Sequence, residues 1–234
     1  MNLENCVSYT ELHYMMDDQR KQFNAEDIER TFHSLSINLK KPIVGLLIGG
    51  GAMSLKGDKP STKDVDLVVR NEEDFKDFLS CSKSAGFVEK SEVSHEYQKL
   101  NTTVLVNPSG FHIDLFVRNV CNRLVIHDGI MKRAQRFRAF GHLEILLMAD
   151  EDLFLSKSVT ERSRDLDDMY ELYKKGLDEA IIMKEMRIQD GLSDTVWEAF
   201  LTMKLDELEN RFTINVPWKR IVEERAVRIL EDEQ

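Results

Sequence analysis

The 234-residue chain has no apolar run long enough to span a bilayer, so no membrane partner is expected. It has only three cysteines, Cys6, Cys81 and Cys121, an odd number at unrelated spacings. They make neither a disulfide framework nor a zinc site, and they fit a reducing, cytoplasmic setting. The six histidines, His13, His33, His95, His112, His127 and His142, form no HxxxH pair and no Cys/His cluster, so a zinc enzyme is not expected. Positive charge is scarce: 32 Lys and Arg stand against 42 Asp and Glu, a formal net charge of −10. That balance opposes broad, non-specific nucleic-acid binding but leaves room for a local basic groove. The opening MNLENCVSYTELHY lacks the basic and apolar regions of a signal peptide. The GKS/T of a P-loop, a spaced GxGxxG and a GxSxG elbow are all missing, as are internal repeats and low-complexity linkers.

What is present is a hydrophobic fraction of 42%, enough for a globular core. The length suits a domain over residues 1–150 followed by a helical region over 151–234. The most informative stretch is IVGLLIGGGAMSLKGDKPSTKDVDLVV, Ile43 to Val69. Ile43 to Ile48 reads as a buried strand, followed by Gly49, Gly50 and Gly51 and then a short helical segment, Ala52 to Lys56, closed by Gly57. At Asp64 to Leu67 the pattern alternates, so Asp64 and Asp66 share one face of a strand while Val65 and Leu67 enter the core. Two neighbouring carboxylates repel, and a hard divalent cation is the usual compensation. Glycines after a strand free backbone N–H groups for an anion, and the helix start beyond adds its positive dipole end. An anion cradle beside a cation-binding pair reads as a nucleoside triphosphate site.

Around this stretch the periodicities outline further elements. Ile28, Phe32, Leu35 and Leu39 form one helical face, with Asn24 and Asp27 in a capping arrangement. Phe75, Phe78 and Leu79 mark a second helix, stopped near Gly86. Strands are expected at Tyr97–Leu100 and Thr102–Val106, then a turn at Asn107–Gly110 and a strand at Phe111–Val117. In that last strand Asp114 is a third carboxylate amid apolar neighbours: either a partner of the first two or an edge residue facing water. His112 beside it reads as a structural histidine. Residues 118–138 collect Arg118, Arg123, Lys132, Arg133, Arg136 and Arg138 against a single acid, Asp128. This is either a solvated face or a basic rim for triphosphate, nucleic acid or an acidic partner. Leu143–Met148 reads as a strand, and Asp150 opens a helix with acids in its first turn. Leu166, Met169, Tyr170 and Tyr173 face inward on the next helix, which Gly176 ends. Trp197, Leu201, Leu205 and Leu208 stripe another, with Ser193 as its N-cap. Pro217 is expected to start the last helix, with Ile221, Val222, Ile229 and Leu230 inward.

Ile48-Gly49-Gly50, thirteen residues, then Asp64-Val65-Asp66-Leu67 resembles the signature of the polymerase-beta-like nucleotidyltransferase superfamily. Many members carry serine at the second small position, and Gly50 leaves backbone amides as the phosphate contact there. Asp114 matches the third acid that the pattern places on a later strand. The run EDLFLSKSVTERSRDLDDM resembles a helical segment of a minimal, mostly prokaryotic branch, where a lysine ahead of an Arg–Asp pair lies near the phosphates. Lys157, Arg164 and Asp165 match those positions, although Lys157 by itself reads as a surface lysine.

The resemblance implies an α/β nucleotidyltransferase fold, a short mixed sheet with helices on one side and a helical C-terminal region. It implies transfer of a nucleotidyl group from an NTP, with Asp64, Asp66 and Asp114 holding two Mg2+ ions. Gly49, Gly50, Gly51, Lys157 and Arg164 would bind the nucleotide. The acceptor is left open among a protein, tRNA or other RNA, and a small molecule. A non-catalytic relative acting as a toxin or antitoxin partner or scaffold, and an enzyme of RNA ends, are the other readings. A protein partner or a homodimer fits each of them.

Overall fold

The computed structural model describes residues 20–90, 102–160 and 162–232, with side chains through residue 228. Helix α1 (Ala25–Ser36) has the expected reciprocal cap: the Asp27 amide donates to Asn24 Oδ1 at 3.0 Å and the Asn24 amide to Asp27 Oδ2 at 3.2 Å. Its apolar face, Ile28, Phe32 and Leu35, is completely buried.

Among the described residues, seven strands make one sheet: β1 (Ile43–Ile48), β2 (Asp64–Val69), β3 (Val88–Glu89), β4 (Thr103–Val106), β5 (His112–Val117), β8 (Gln135–Phe140) and β9 (Leu143–Leu147). A separate hairpin pairs β6 (Asn119–Val120) with β7 (Leu124–Val125). The sheet order is β3-β4-β5-β2-β1-β9-β8. It is mixed, as expected: β1 runs parallel to β9 and β2 parallel to β5, while the other pairings are antiparallel. β1 lies between two neighbours, which is why IVGLLI is an almost unbroken apolar run. The β4–β5 hairpin forms where the turn was read, with Asn107 Oδ1 accepting from the amides of Ser109 and Phe111.

The remaining helices are α2 (Gly49–Lys56), α3 (Glu72–Ser84), α4 (Asp128–Arg133), α5 (Asp150–Ser158), α6 (Arg164–Tyr173), α7 (Glu179–Asp190), α8 (Trp197–Phe212) and α9 (Lys219–Asp232). Among the described residues, no helix is long and apolar enough to cross a membrane.

Four expectations change. Helix α2 starts at Gly49, not at Ala52, because the chain turns out of β1 directly into it. Ser193 does not cap α8: its Oγ accepts from Trp197 Nε1, and the Trp197 amide donates to Asp190 Oδ1 at 3.1 Å. Ile221 is half exposed while Val222 is buried, because adjacent helical residues point about 100° apart and one turn buries only one of them. β8 occupies part of the basic stretch, where no strand was expected. The strand expected at Tyr97–Leu100, most of residues 1–24 and the side chains of Ile229 and Leu230 lie outside the described residues.

Candidate functional site

β2 and β5 set the geometry of the acidic residues. In their parallel register Asp64 pairs with His112 and Asp66 with Asp114, so the three carboxylates lie on one face of two adjacent strands. Burial pushes the Asp66 carboxyl up to about 7, and the charge of Asp64 adds to this against Arg162 and Lys157. Burial likewise raises Asp114 well above the carboxylate range, followed by repulsion from Asp66 and Asp64, with Arg20 and Arg162 opposing. The crowding calls for positive charge. Arg20, from the segment leading into α1, supplies some: its Nη2 lies 3.2 Å from Asp64 Oδ2. Among the described residues, no three His, Cys, Asp or Glu side chains are arranged to hold one metal ion between them. The donor set is nevertheless that of a hard cation: carboxylate oxygens, mutually repelled, on rigid strands.

The glycine turn serves three directions. Gly49 takes φ +60°, and a Cβ there would come 2.4 Å from Asp66 Oδ2, so the bare backbone is what lets that carboxylate approach the start of α2. A Cβ on Gly50 would come 2.8 Å from Thr62 Oγ1, on the wall of a pocket of about 220 Å³. Gly51 turns away from the pocket: its Cβ would sit 3.5 Å from Leu47 and Val65 in the core. These are the directions of the missing side chains; the backbone N–H groups at the start of α2 point along its axis.

The pocket's opposite wall is a charge network. Lys157 is a buried lysine, not the surface lysine that its sequence position suggests. Its Nζ lies 2.9 Å from Asp165 Oδ1 and 2.6 Å from Asp168 Oδ2. Lys59 reaches Asp168 Oδ1 at 2.8 Å, and Arg162 Nε reaches Asp165 Oδ2 at 2.9 Å. Burial works to raise Asp165, but Lys157 and Arg162 outweigh it and hold the carboxyl below its ordinary range. Burial works to lower the Arg162 guanidinium, and Asp165, Asp66 and Asp64 hold it firmly protonated. Arg164 lines the same pocket. Lys59, Thr62, Arg162, Asp168 and Arg20 are additions to the residues read from sequence. Asp165 and Asp168, three apart on the helix face that buries Met169 and Leu172, were the available signal for buried charge.

No family model matches this sequence, and no curated protein matches it. Among solved structures, the lincomycin-bound lincosamide antibiotic adenylyltransferase LnuA is similar at a TM-score of 0.41 and 14% identity, over 72% of this chain and 98% of that one.

In the basic stretch 118–138, Arg123 and Arg133 are partly buried, while Arg118, Lys132, Arg136 and Arg138 are exposed. Arg133 donates to Asp152 from Nε at 3.0 Å and from Nη2 at 2.7 Å, and Nη2 also reaches Glu185 Oε2 at 2.5 Å. Arg123 donates to the Val159 carbonyl and lies 5.2 Å from the Phe200 ring. Arg136 pairs with Glu144 and Arg138 with Glu29. Arg123, Arg133 and Arg138 tie distant parts of the chain together, and none of the four lines the pocket at the carboxylates. The hairpin in this stretch has another effect: it brings Cys121 close enough to Asp66 and Asp114 that, after burial, their charges push its thiol up to about 11.

Proposed function

We propose that this chain is a nucleotidyltransferase that uses Mg2+ to move a nucleoside monophosphate from an NTP to an acceptor hydroxyl. The observation that carries the reading is the β2–β5 register, which sets Asp114 beside Asp66 on the face that also holds Asp64 and against the glycine turn. Asp64, Asp66 and Asp114 would hold the divalent ions, which when bound neutralise the triphosphate and polarise the phosphorus under attack. Asp114 would hold the ion that activates the acceptor hydroxyl, or take its proton. The backbone at Gly49 and Gly50 suits phosphate oxygens. Arg162, fixed by Asp165 and close enough to Asp66 to feel its charge, would offset charge on the departing pyrophosphate.

The test is labelling with radioactive NTPs of candidate acceptors (a small-molecule panel, tRNA and whole-cell protein), with Mg2+ and with EDTA. Metal-dependent label that is lost in Asp66→Asn supports the reading, and NTP that binds to neither protein overturns it. One observation favours a second reading, a non-catalytic relative that serves as a partner or scaffold. Lys157 is already held by two carboxylates and Asp64 by Arg20, so these two groups have partners without a ligand. NTP binding without any transfer would select that reading.

A further inference from the structure

Past the last residues of β2 and β5 lies a second pocket, of about 200 Å³. Val68, Ile126 and Met131 give it an apolar floor, and Arg70, Arg118 and Asp128 supply its charges. Arg70 and Arg118 each follow the end of a strand, and the two strands are parallel neighbours. Each arginine stands four residues beyond Asp66 or Asp114, about 13 Å along a strand, so this pocket is separate from the one at the carboxylates.

Neither guanidinium makes a hydrogen bond or ion pair among the described residues. Both are exposed, and the Arg70 guanidinium acts on Asp74 only through its charge, whereas Arg30, Arg133, Arg162 and Arg211 each hold a carboxylate. The backbone of Arg118 is fixed in place. Its φ is +55°, its amide donates to the Val69 carbonyl at 3.2 Å and its own carbonyl accepts from the Ile126 amide at 2.7 Å. Glycine or asparagine would take that left-handed conformation more readily, yet an arginine holds it.

We propose that this pocket binds the phosphate group of a small phosphomonoester, with the ester's apolar body on Val68, Ile126 and Met131. Two guanidinium forks match the terminal oxygens of a phosphate, and a dianion tolerates the one opposing acid, Asp128. A long polyanion is a poor fit, because two arginines beside an acid on a chain of net charge −10 offer little to a repeating backbone. The proposal stands apart from the nucleotidyl-transfer reading: the pocket would bind its ligand whether or not the carboxylates perform chemistry.

The experiment follows the methyl resonances of Ile126 and Met131 in the intact chain, which report on this pocket and not on the carboxylates. Phenyl phosphate is the probe, with inorganic phosphate and phenol as the two halves of its chemistry. Saturable shifts with phenyl phosphate, weaker ones with inorganic phosphate and none with phenol at the same concentration are expected. Arg70→Ala should weaken binding at least tenfold, and Asp128→Asn should strengthen it a few-fold. Arg118→Gly should abolish binding with an unchanged or higher melting temperature, since glycine accepts the left-handed backbone. If that variant unfolds, Arg70→Ala, at a residue outside the left-handed region, decides alone. Absence of saturable shifts, or full affinity in Arg70→Ala, overturns the proposal. Single-stranded RNA that shifts the same methyls at lower concentration than phenyl phosphate overturns the small-molecule assignment.

Discussion

At Gly49 the backbone is left-handed and a carboxylate oxygen occupies the space a side chain would need. Gly49→Ala should therefore cost about 1–2 kcal/mol of stability and, in the protein that still folds, lower Mn2+ or Mg2+ affinity at least tenfold. Calorimetry alongside a melting curve separates the two effects, and a folded variant with unchanged ion affinity would remove Asp66 from the metal set. Arg20 makes an opposite prediction. It is a cation already placed on Asp64, and an incoming divalent ion competes with it. Arg20→Ala should raise Mn2+ affinity several-fold in a titration, whereas a fall would make Arg20 a support of the site. The acids at 64, 66 and 114 were legible from the strand period and the resemblance together. Arg20 and Lys59 were not, because they lie 44 and 109 residues from the carboxylates they hold, and no local pattern encodes such a pairing.

Among the elements, α5 and α7 are tied to α4 and β7 by a buried polar network. Glu185 accepts from Arg133, is hydrogen-bonded to His127 Nε2 at 2.8 Å and accepts from Gln189 Nε2 at 2.8 Å, and Gln189 also bonds Val125 through both its amide atoms. Burial raises the Glu185 carboxyl, but hydrogen bonds from Gln189, His127 and Arg133 outweigh it and hold the group ionised. Glu185→Leu should lower stability by about 3 kcal/mol in denaturant unfolding, because His127 loses its acceptor and Arg133 keeps only Asp152 of its two carboxylates. The corner between α7 and α8 has the opposite electrostatics. Asp190 is pushed up to about 7, first by burial and then by its contact with fully buried Glu198, whose Oε1 accepts from Arg225 at 2.9 Å. A carboxyl raised in the folded state stabilises fully below its unfolded value near 4 and loses that contribution as pH rises through about 7. The melting temperature of the native chain should accordingly drop more between pH 5 and 8 than that of Asp190→Asn, and parallel profiles would show that Asp190 is not proton-linked. The helices were legible here from their apolar stripes. The partners of Arg123, Arg133, Arg136 and Arg138 were not, since a run of basic residues reads the same whether it meets solvent or a distant part of the chain.

For the molecule as a whole, the expected boundary near residue 150 meets a structure in which charges cross it. Lys56 on α2 reaches Asp150 at 2.6 Å, Lys59 reaches Asp168, and Arg133 reaches Asp152 and Glu185. We expect residues before and after 150 to unfold together, in a single calorimetric transition with equal van't Hoff and calorimetric enthalpies. A chain ending at Met148 should lack cooperative unfolding, because Arg133 loses both its carboxylates and the α2 lysine its partner. Two resolved transitions in the full chain would instead make the C-terminal helices an independent unit.

Local chemistry determined most of the elements: the capping box of α1, the buried run of β1, the alternation that sets Asp64 with Asp66, and the Asn107 turn all follow from spacings of a few residues. These are short-range steric and hydrogen-bonding rules, and a sequence states them directly. The tertiary structure alone decided which groups share a charge. The parallel pairing of β2 with β5 joins residues 48 apart and makes one acidic site of Asp66 and Asp114, and the packing of α6 against the pocket turns Lys157 into a buried ion-pair member. Electrostatic coupling falls with distance in space and is indifferent to distance along the chain, so the site's charge balance exists only once the sheet and helices have closed around it.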